Sequence, residues 1–128
     1  MSEVTIIIPT LNEEENINLL LERVLKVRKE AGYDFDILFV DSASEDNTCE
    51  YVGEWQKNST VSLLKRDVNV GLAPAVIAAA NAVESRYVLV MDADLSHPPE
   101  KIPELLGPVL EDRFDMVIGS RYVSGGAM

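Results

Sequence analysis

The chain has 128 residues, 47% hydrophobic and 26% charged, with a net charge of −11, which provides the core of one domain and too little for two. So acidic a balance argues against a nucleic-acid binder, whose phosphate partner requires a basic surface, and against unaided attraction to an anionic membrane. It leaves room for a phosphorylated substrate held through a metal.

Val4 to Ile8 is a short β-branched run ended by Pro9, and it predicts a first strand. Asn12 is placed to cap the next helix, with Glu15 as its capping-box partner. Glu13, Glu14 and Glu15 occupy the first turn, where the helix dipole favours negative charge. Ile17, Leu20, Leu21, Val24 and Leu25 follow helical spacing, and Gly32 lies past the helix end. Ile37 to Val40 reads as a second buried strand ending at Asp41. The loop S-A-S-E-D-N-T follows, and Asp46 or Asn47 can cap a helix carrying Tyr51, Val52 and Trp55, with the two aromatics read as core. Val61 to Leu64 is a third strand. A loop through Asn69 and Gly71 leads to an alanine-rich helix from Ala75 to Val83. Tyr87 to Met91 is the fourth strand. Pro98 and Pro99 precede a helix from Glu100 to Leu110, with Pro103 tolerated near its first turn. Met116 to Ile118 is a fifth strand.

No segment is long and apolar enough to span a bilayer, and the start M-S-E-V-T runs straight into a strand without a signal-peptide pattern. Cys49 is the single cysteine, so no internal disulfide or cysteine metal cluster is available, and a reducing compartment is expected. Strand–helix alternation with continuously apolar strands predicts one α/β domain over 1–128. Its architecture is a three-layer, mostly parallel open sheet in the order 3-2-1-4-5. Ligands of such sheets bind beyond the strand carboxyl ends, where the winding reverses. The Pro9–Glu13 turn and the pair Asp92 and Asp94 fall there, with Asp41 next door.

The segment Y-V-L-V-M-D-A-D-L-S carries most of the chemistry. Two carboxylates at the end of a buried strand repel each other unless a cation or solvent relieves them. Hard oxygen ligands suit Mg2+ or Mn2+, which commonly bridge to substrate phosphates. Taken alone, a D-x-D is more often a solvated acidic turn, and the convergence of three acidic strand ends is what favours a site. There is no G-x-x-x-x-G-K-[ST] and no G-x-G-x-x-G after the first strand, so a P-loop and a dinucleotide-binding Rossmann domain are disfavoured. The acidic first loop, P-T-L-N-E-E-E-N, suits the nucleoside end of a ligand better than bare phosphates.

P-T-L-N-E-E-E-N, V-D-S-A-S-E-D-N-T, M-D-A-D-L-S-H-P-P-E and G-S-R-Y occur in this order along the chain. Together they resemble the family 2 glycosyltransferases of GT-A fold, most nearly the dolichyl- and polyprenyl-phosphate mannosyl- and glucosyltransferases, over essentially the whole chain. The resemblance implies metal-dependent, inverting transfer of a hexose from a nucleotide sugar of the GDP-mannose or UDP-glucose type to a lipid phosphate. It implies that Pro9, Leu11 and Glu13 border the nucleoside, and that Val40, Asp41 and Ser42 meet base or ribose. Asp92 and Asp94 would hold Mg2+ or Mn2+, with Ser96 at a third ligand position and Ala93 against the nucleotide. Arg121 would approach the donor diphosphate or acceptor phosphate and, with Asp94, carry the catalytic role. The expected location is cytoplasmic, peripheral at the membrane face through further C-terminal segments or a partner subunit.

Three departures from the family pattern stand out. Ser42 replaces a second aspartate in V-D-D-G-S, G-L-A-P-A replaces the usual G-L-G, and the chain ends soon after G-S-R-Y, which reads as truncation. A catalytically silent nucleotide-binding fragment, or one self-associating through a surface left by truncation, therefore remains the alternative. A phosphoacceptor receiver domain fits poorly, because the third strand ends at Lys65-Arg66 and the fifth at Gly119-Ser120-Arg121. Bland readings also stand for single residues. Glu13 can serve the helix dipole, Asp46 a helix cap, His97 a solvated loop, and Arg121 a surface ion pair.

Overall fold

β1 (Val4–Thr10) and β2 (Phe35–Ser42) are almost wholly buried along their length, as strands covered on both faces must be. The computed structural model describes residues 3–96, 98–104, 106, 116–118 and 121–122. The remaining elements, in chain order, are α1 (Glu14–Ala31), α2 (Thr48–Trp55), β3 (Val61–Arg66), α3 (Leu72–Ala82), β4 (Tyr87–Val90), a 3-10 turn (Pro99–Lys101), β5 (Met116–Ile118) and β6 (Arg121–Tyr122). α1 lies between β1 and β2, α2 between β2 and β3, and α3 between β3 and β4. Helical backbone continues over 102–104 and at 106, and the other residues of the helix expected up to Leu110 lie outside the described residues.

The strands form one sheet in the order β3-β2-β1-β4-β5-β6. Every pairing from β3 to β5 is parallel, and β6 adds an antiparallel edge. The expected 3-2-1-4-5 order is therefore present and gains a sixth strand. R-Y is too short to show strand periodicity by itself, and pairing with β5 defines it.

Alternation along the strands sorts the core into two layers. Ile6, Ile8, Phe35, Ile37, Phe39 and Leu89 face α1 and α2, together with Ile17, Leu20, Leu21, Val24 and Val52. Ile7, Leu38, Val40, Val88 and Val90 face Ala75 and Ala79 of α3. The alanines of α3 let its backbone approach the sheet closely. On the other side, Arg23 of α1 forms an ion pair with Glu100 of the 3-10 turn.

Three local expectations need correction. Asn12 does not cap α1: the cap position is Glu13, without a side-chain cap bond, and Asn12 takes φ 54°. α3 begins at Leu72, so Pro74 sits in its first turn rather than in a loop, where a missing N–H removes no helical bond. Tyr51 and Trp55 are half-buried at the core margin, and the Trp55 indole donates to Asn18 at 2.8 Å. Gly32 ends α1 at φ 73°, and its amide bonds the Arg28 carbonyl, the left-handed stop glycine allows. No helix among the described residues is long and apolar enough to cross a membrane.

Candidate functional site

Parallel strands end together, so the carboxyl ends of β1, β2 and β4 form one edge. The register fixes this alignment: Ile7 lies opposite Val90, Thr10 opposite Asp41, and Ser42 opposite Arg66. The amide of Met91 donates to the Ile7 carbonyl at 3.0 Å, so β4 stays pinned to β1 up to the residue before Asp92. Beyond this edge lies a crevice of about 340 Å³ lined by Pro9, Thr10, Leu11, Glu13, Ser42, Asn69, Gly71, Leu72, Ala75, Asp92, Ala93 and Asp94.

The crevice wall carries three carboxylates, from Glu13, Asp92 and Asp94, and no cationic residue among the described lining. Asp92 is half-buried and Asp94 exposed. The Ser96 amide donates to Asp94 Oδ1 at 2.9 Å, which orients that carboxylate. The amino end of α3 also borders the crevice through Gly71 and Leu72, and the positive end of its dipole favours an anion there.

The first two loops are built as one piece. The Asn12 amide donates to Ser44 Oγ at 2.8 Å, and Asn12 Oδ1 accepts the Glu45 amide at 2.9 Å. The Glu13 amide donates to Thr48 Oγ1 at 2.8 Å, and the Glu14 amide to Asp46 Oδ2 at 3.2 Å. Asp46 Oδ1 in turn accepts the Thr48 amide at 2.9 Å. Asp46 therefore serves the starts of two helices at once, which is more than the single cap expected of it. Burial opposes the charge of Asp46, but the Thr48 hydroxyl and the amides of Thr48 and Glu14 outweigh it and hold its carboxyl below the ordinary range.

Asp41 lies beneath these loops, 1% exposed. Its Oδ1 accepts the Thr10 hydroxyl at 2.7 Å and the Ser44 hydroxyl at 2.6 Å, and its Oδ2 accepts the Ser44 amide at 2.9 Å. Burial pushes its pKa up, but the bonds from Ser44, Thr10 and Cys49 more than reverse this, so it stays ionised below the usual carboxylate range. Cys49 is the converse: burial first, then its bond to Asp41 and that residue's charge, push the thiol up to about 11.

Of the residues expected at the site, Pro9, Leu11, Glu13, Ser42, Asp92, Ala93 and Asp94 meet in the crevice. Val40 and Asp41 do not line it: Val40 is fully buried on the α3 side, and Asp41 is engaged below the loops. Ser96 reaches the site through its amide on Asp94. Arg121 is placed by register opposite Ile118, itself opposite Val90, so its backbone lies on the same sheet edge. His97 lies outside the described residues. Thr10, Asn69, Gly71, Leu72 and Ala75 were missed. Gly71 at φ 108° opens α3, and a glycine directly before a helix that follows a strand was the available signal.

Left-handed backbone marks the same edge. Asn12, Ala43 and Leu95 take φ 54°, 58° and 64°, one in the loop after each of β1, β2 and β4. Such conformations cost free energy for residues other than glycine and gather at binding sites.

The family model described as Glycosyl transferase family 2 matches residues 5–127. The chain is 40% identical over 124 residues to a dolichol-phosphate mannosyltransferase of Pyrococcus furiosus, covering 97% of this chain and 34% of that protein. It is 35% identical over 124 residues to an undecaprenyl-phosphate 4-deoxy-4-formamido-L-arabinose transferase of Photorhabdus laumondii, covering 94% of this chain and 37% of that one. Among solved structures, it superposes with a TM-score of 0.65 and 27% identity on a Pyrobaculum calidifontis mannosyltransferase in complex with GDP-Man and Mn2+, over 78% of this chain and 30% of that one. The chain thus spans about a third of the length of these curated relatives.

Proposed function

The chain belongs to glycosyl transferase family 2, with the GT-A sheet, and from that premise we propose that its crevice binds the nucleoside diphosphate of a sugar donor through a divalent cation on Asp92 and Asp94. The single observation that carries this reading is the charge of the wall: three carboxylates and no cation among the described lining residues. A bare diphosphate would be repelled there. A cation bridging the carboxylates and the phosphates turns repulsion into attraction.

The donor set fits such an ion. Two carboxylates at neighbouring positions suit Mg2+ or Mn2+, which keep several waters and take remaining ligands from substrate phosphates. When bound, the ion supplies Lewis-acid stabilisation of the leaving diphosphate. The chain's own residues do the rest. Ser96 orients Asp94, the joined first loops hold Glu13 and Ser42 on the wall, and α3 presents its amino end.

For the whole protein we propose transfer of a hexose from a nucleotide sugar of the GDP-mannose or UDP-glucose type to a polyprenyl phosphate, with inversion at the anomeric carbon. The two curated relatives, named for a dolichol-phosphate and an undecaprenyl-phosphate reaction, support that acceptor class. The acceptor phosphate is already anionic, so no dedicated base is required. Arg121, at the carboxyl edge by register, would approach a phosphate. The crevice would supply the donor half of such a reaction.

Calorimetry with GDP, UDP and their sugars, with and without Mn2+, tests the reading. Binding that needs the metal and drops at least about tenfold in Asp92→Ala and Asp94→Ala is expected, corresponding to about 1.4 kcal/mol or more. Metal-independent binding, or binding indifferent to both substitutions, overturns it.

A further inference from the structure

Among the described helices, α3 alone carries no charged residue. The uncharged stretch runs further, from Val68 to Val83, and is the longest in a chain of which 26% is charged. A helix that is apolar all round is ordinarily covered all round. α3 is covered on one face, where Ala75 and Ala79 pack on Ile7, Leu38, Val40, Val88 and Val90 of the sheet. The opposite face is open. Ala73, Ile77 and Asn81, each a helical turn from the next, are all exposed. Val68, Val70 and Leu72 lead into that face and are exposed too, so four of the six exposed large hydrophobics among the described residues fall between Val68 and Ile77. Apolar surface gathered in this way marks a contact with another surface, whereas a single exposed residue such as Leu19 on α1 does not.

The distribution of charge selects the other surface. A basic partner is drawn to the acidic remainder of the chain rather than to this face, and a net charge of −11 repels an anionic membrane. Two copies of the chain repel each other wherever carboxylates meet, and an uncharged face is where they can touch. A two-fold contact sets the same patch on both sides, and a patch without charge is complementary to itself. Ala73, Ile77 and Asn81 form an i, i+4 ridge, and such ridges of two helices interdigitate at about −50°. Ala73 and Ala80, one turn to either side of Ile77, leave space for the Ile77 side chain of a second copy.

We propose that the outer face of α3 is a self-association surface, through which two copies of this chain pair about a two-fold axis with Ile77 at its centre. The proposal stands independently of the donor-site reading. α3 has eleven residues and is about 16 Å long, so the contact falls at the small end of specific interfaces, below about 1,200 Å², and a dissociation constant in the micromolar range is expected.

Sedimentation equilibrium of the chain from about 5 μM to about 500 μM tests this. A reversible monomer–dimer equilibrium is expected, and it should tighten as salt rises from about 0.01 M to about 0.1 M, because screening weakens the repulsion between copies and leaves an apolar contact intact. Ile77→Glu sets like charges across the axis and should weaken pairing at least about tenfold, as should Ile77→Lys, while a mixture of the two variants should pair again. Ile77 is exposed, so both variants should keep the thermal midpoint of the wild-type monomer. Leu19→Glu adds the same charge on α1 and should leave pairing nearly unchanged. A chain that stays monomeric throughout overturns the proposal, as does a dimer indifferent to Ile77→Glu, which would place the contact on another surface. A mixture of the Glu and Lys variants that stays monomeric overturns the two-fold arrangement and the proposal with it. Binding of a monomeric wild type to neutral phosphatidylcholine vesicles, lost in Ile77→Glu, would give the face to lipid and overturn it as well.

Discussion

Ala43 shows how one side chain can carry strain for the sake of a loop. It takes φ 58° in the turn after β2, at the position where the family pattern V-D-D-G-S has glycine. Left-handed backbone costs an L-residue about 1–2 kcal/mol, and glycine nothing comparable. Replacing Ala43 with glycine is therefore expected to raise stability by up to about 1 kcal/mol, the relief being partly offset by the entropy glycine adds to the unfolded chain. A urea or thermal unfolding curve reads this directly. Asp41, one turn earlier, gives a pH signature. Its folded pKa lies below the unfolded value of 3.8, so its contribution is full above about pH 4 and is lost as pH falls through the folded value. Asp41→Asn should lower stability by about 1–3 kcal/mol at neutral pH, since one amide hydrogen now faces donors, and should flatten the loss of stability as pH falls below about 4. Cys49 runs the other way. Its pKa of about 11 in the folded protein keeps the thiol protonated, so its contribution holds below the ordinary thiol value of about 8.5 and fades as pH rises towards the folded one. Alkylation of native Cys49 at about pH 8.5 should be several-fold slower than that of an unfolded control.

At the scale of elements, the starts of α1 and α2 share one acceptor, Asp46. Neither cap residue, Glu13 or Asn47, makes a side-chain cap bond. The amides at the start of α1 are met across the loops by Asp46 and Thr48, and the Thr48 amide that opens α2 is met by Asp46 two residues before it. Asp46→Ala removes acceptors at both helix ends, and about 1–2 kcal/mol of stability should go with it. Because the same bonds hold Glu13 against the crevice, donor affinity should fall too, by a larger factor than in Asn47→Ala at the neighbouring cap position. This division also explains what the sequence could and could not disclose. The strands and the apolar face of α1 were readable because burial on two faces leaves an unbroken apolar run, as in Y-V-L-V, and helical spacing leaves Ile17, Leu20, Leu21 and Val24. The acidic strand ends Asp92 and Asp94 were readable because charge interrupts that run. The cap of α1 was misread because a capping box is a local rule, and here the acceptors come from residues more than thirty positions away. Nor did anything local tell that Thr10 and Ser44 would engage Asp41. The missed wall residues Gly71 and Leu72 depend on where α3 meets the sheet, a tertiary fact.

At the scale of the molecule, the net charge of −11 and the acidic crevice act in the same direction on an incoming nucleoside diphosphate, and both oppose it. That makes ionic strength a diagnostic. A protein that holds phosphates through lysine and arginine loses affinity as salt rises. Here, without a divalent ion, added salt screens repulsion instead. Raising ionic strength from about 0.01 M to about 0.1 M shortens the screening length from about 30 Å to about 10 Å, so residual metal-free binding of GDP or UDP should strengthen modestly. With saturating Mn2+ the local sign at Asp92 and Asp94 is inverted, and the same change in salt should weaken binding or leave it flat. Opposite slopes in the two titrations would mean that the cation, rather than an unseen basic side chain, carries the phosphates. Parallel falling slopes would mean that a protein cation reaches the crevice and that the carboxylate pair is not the phosphate anchor. Asp92→Asn/Asp94→Asn supplies the control, because it should remove most of the metal-free repulsion and with it most of the positive slope.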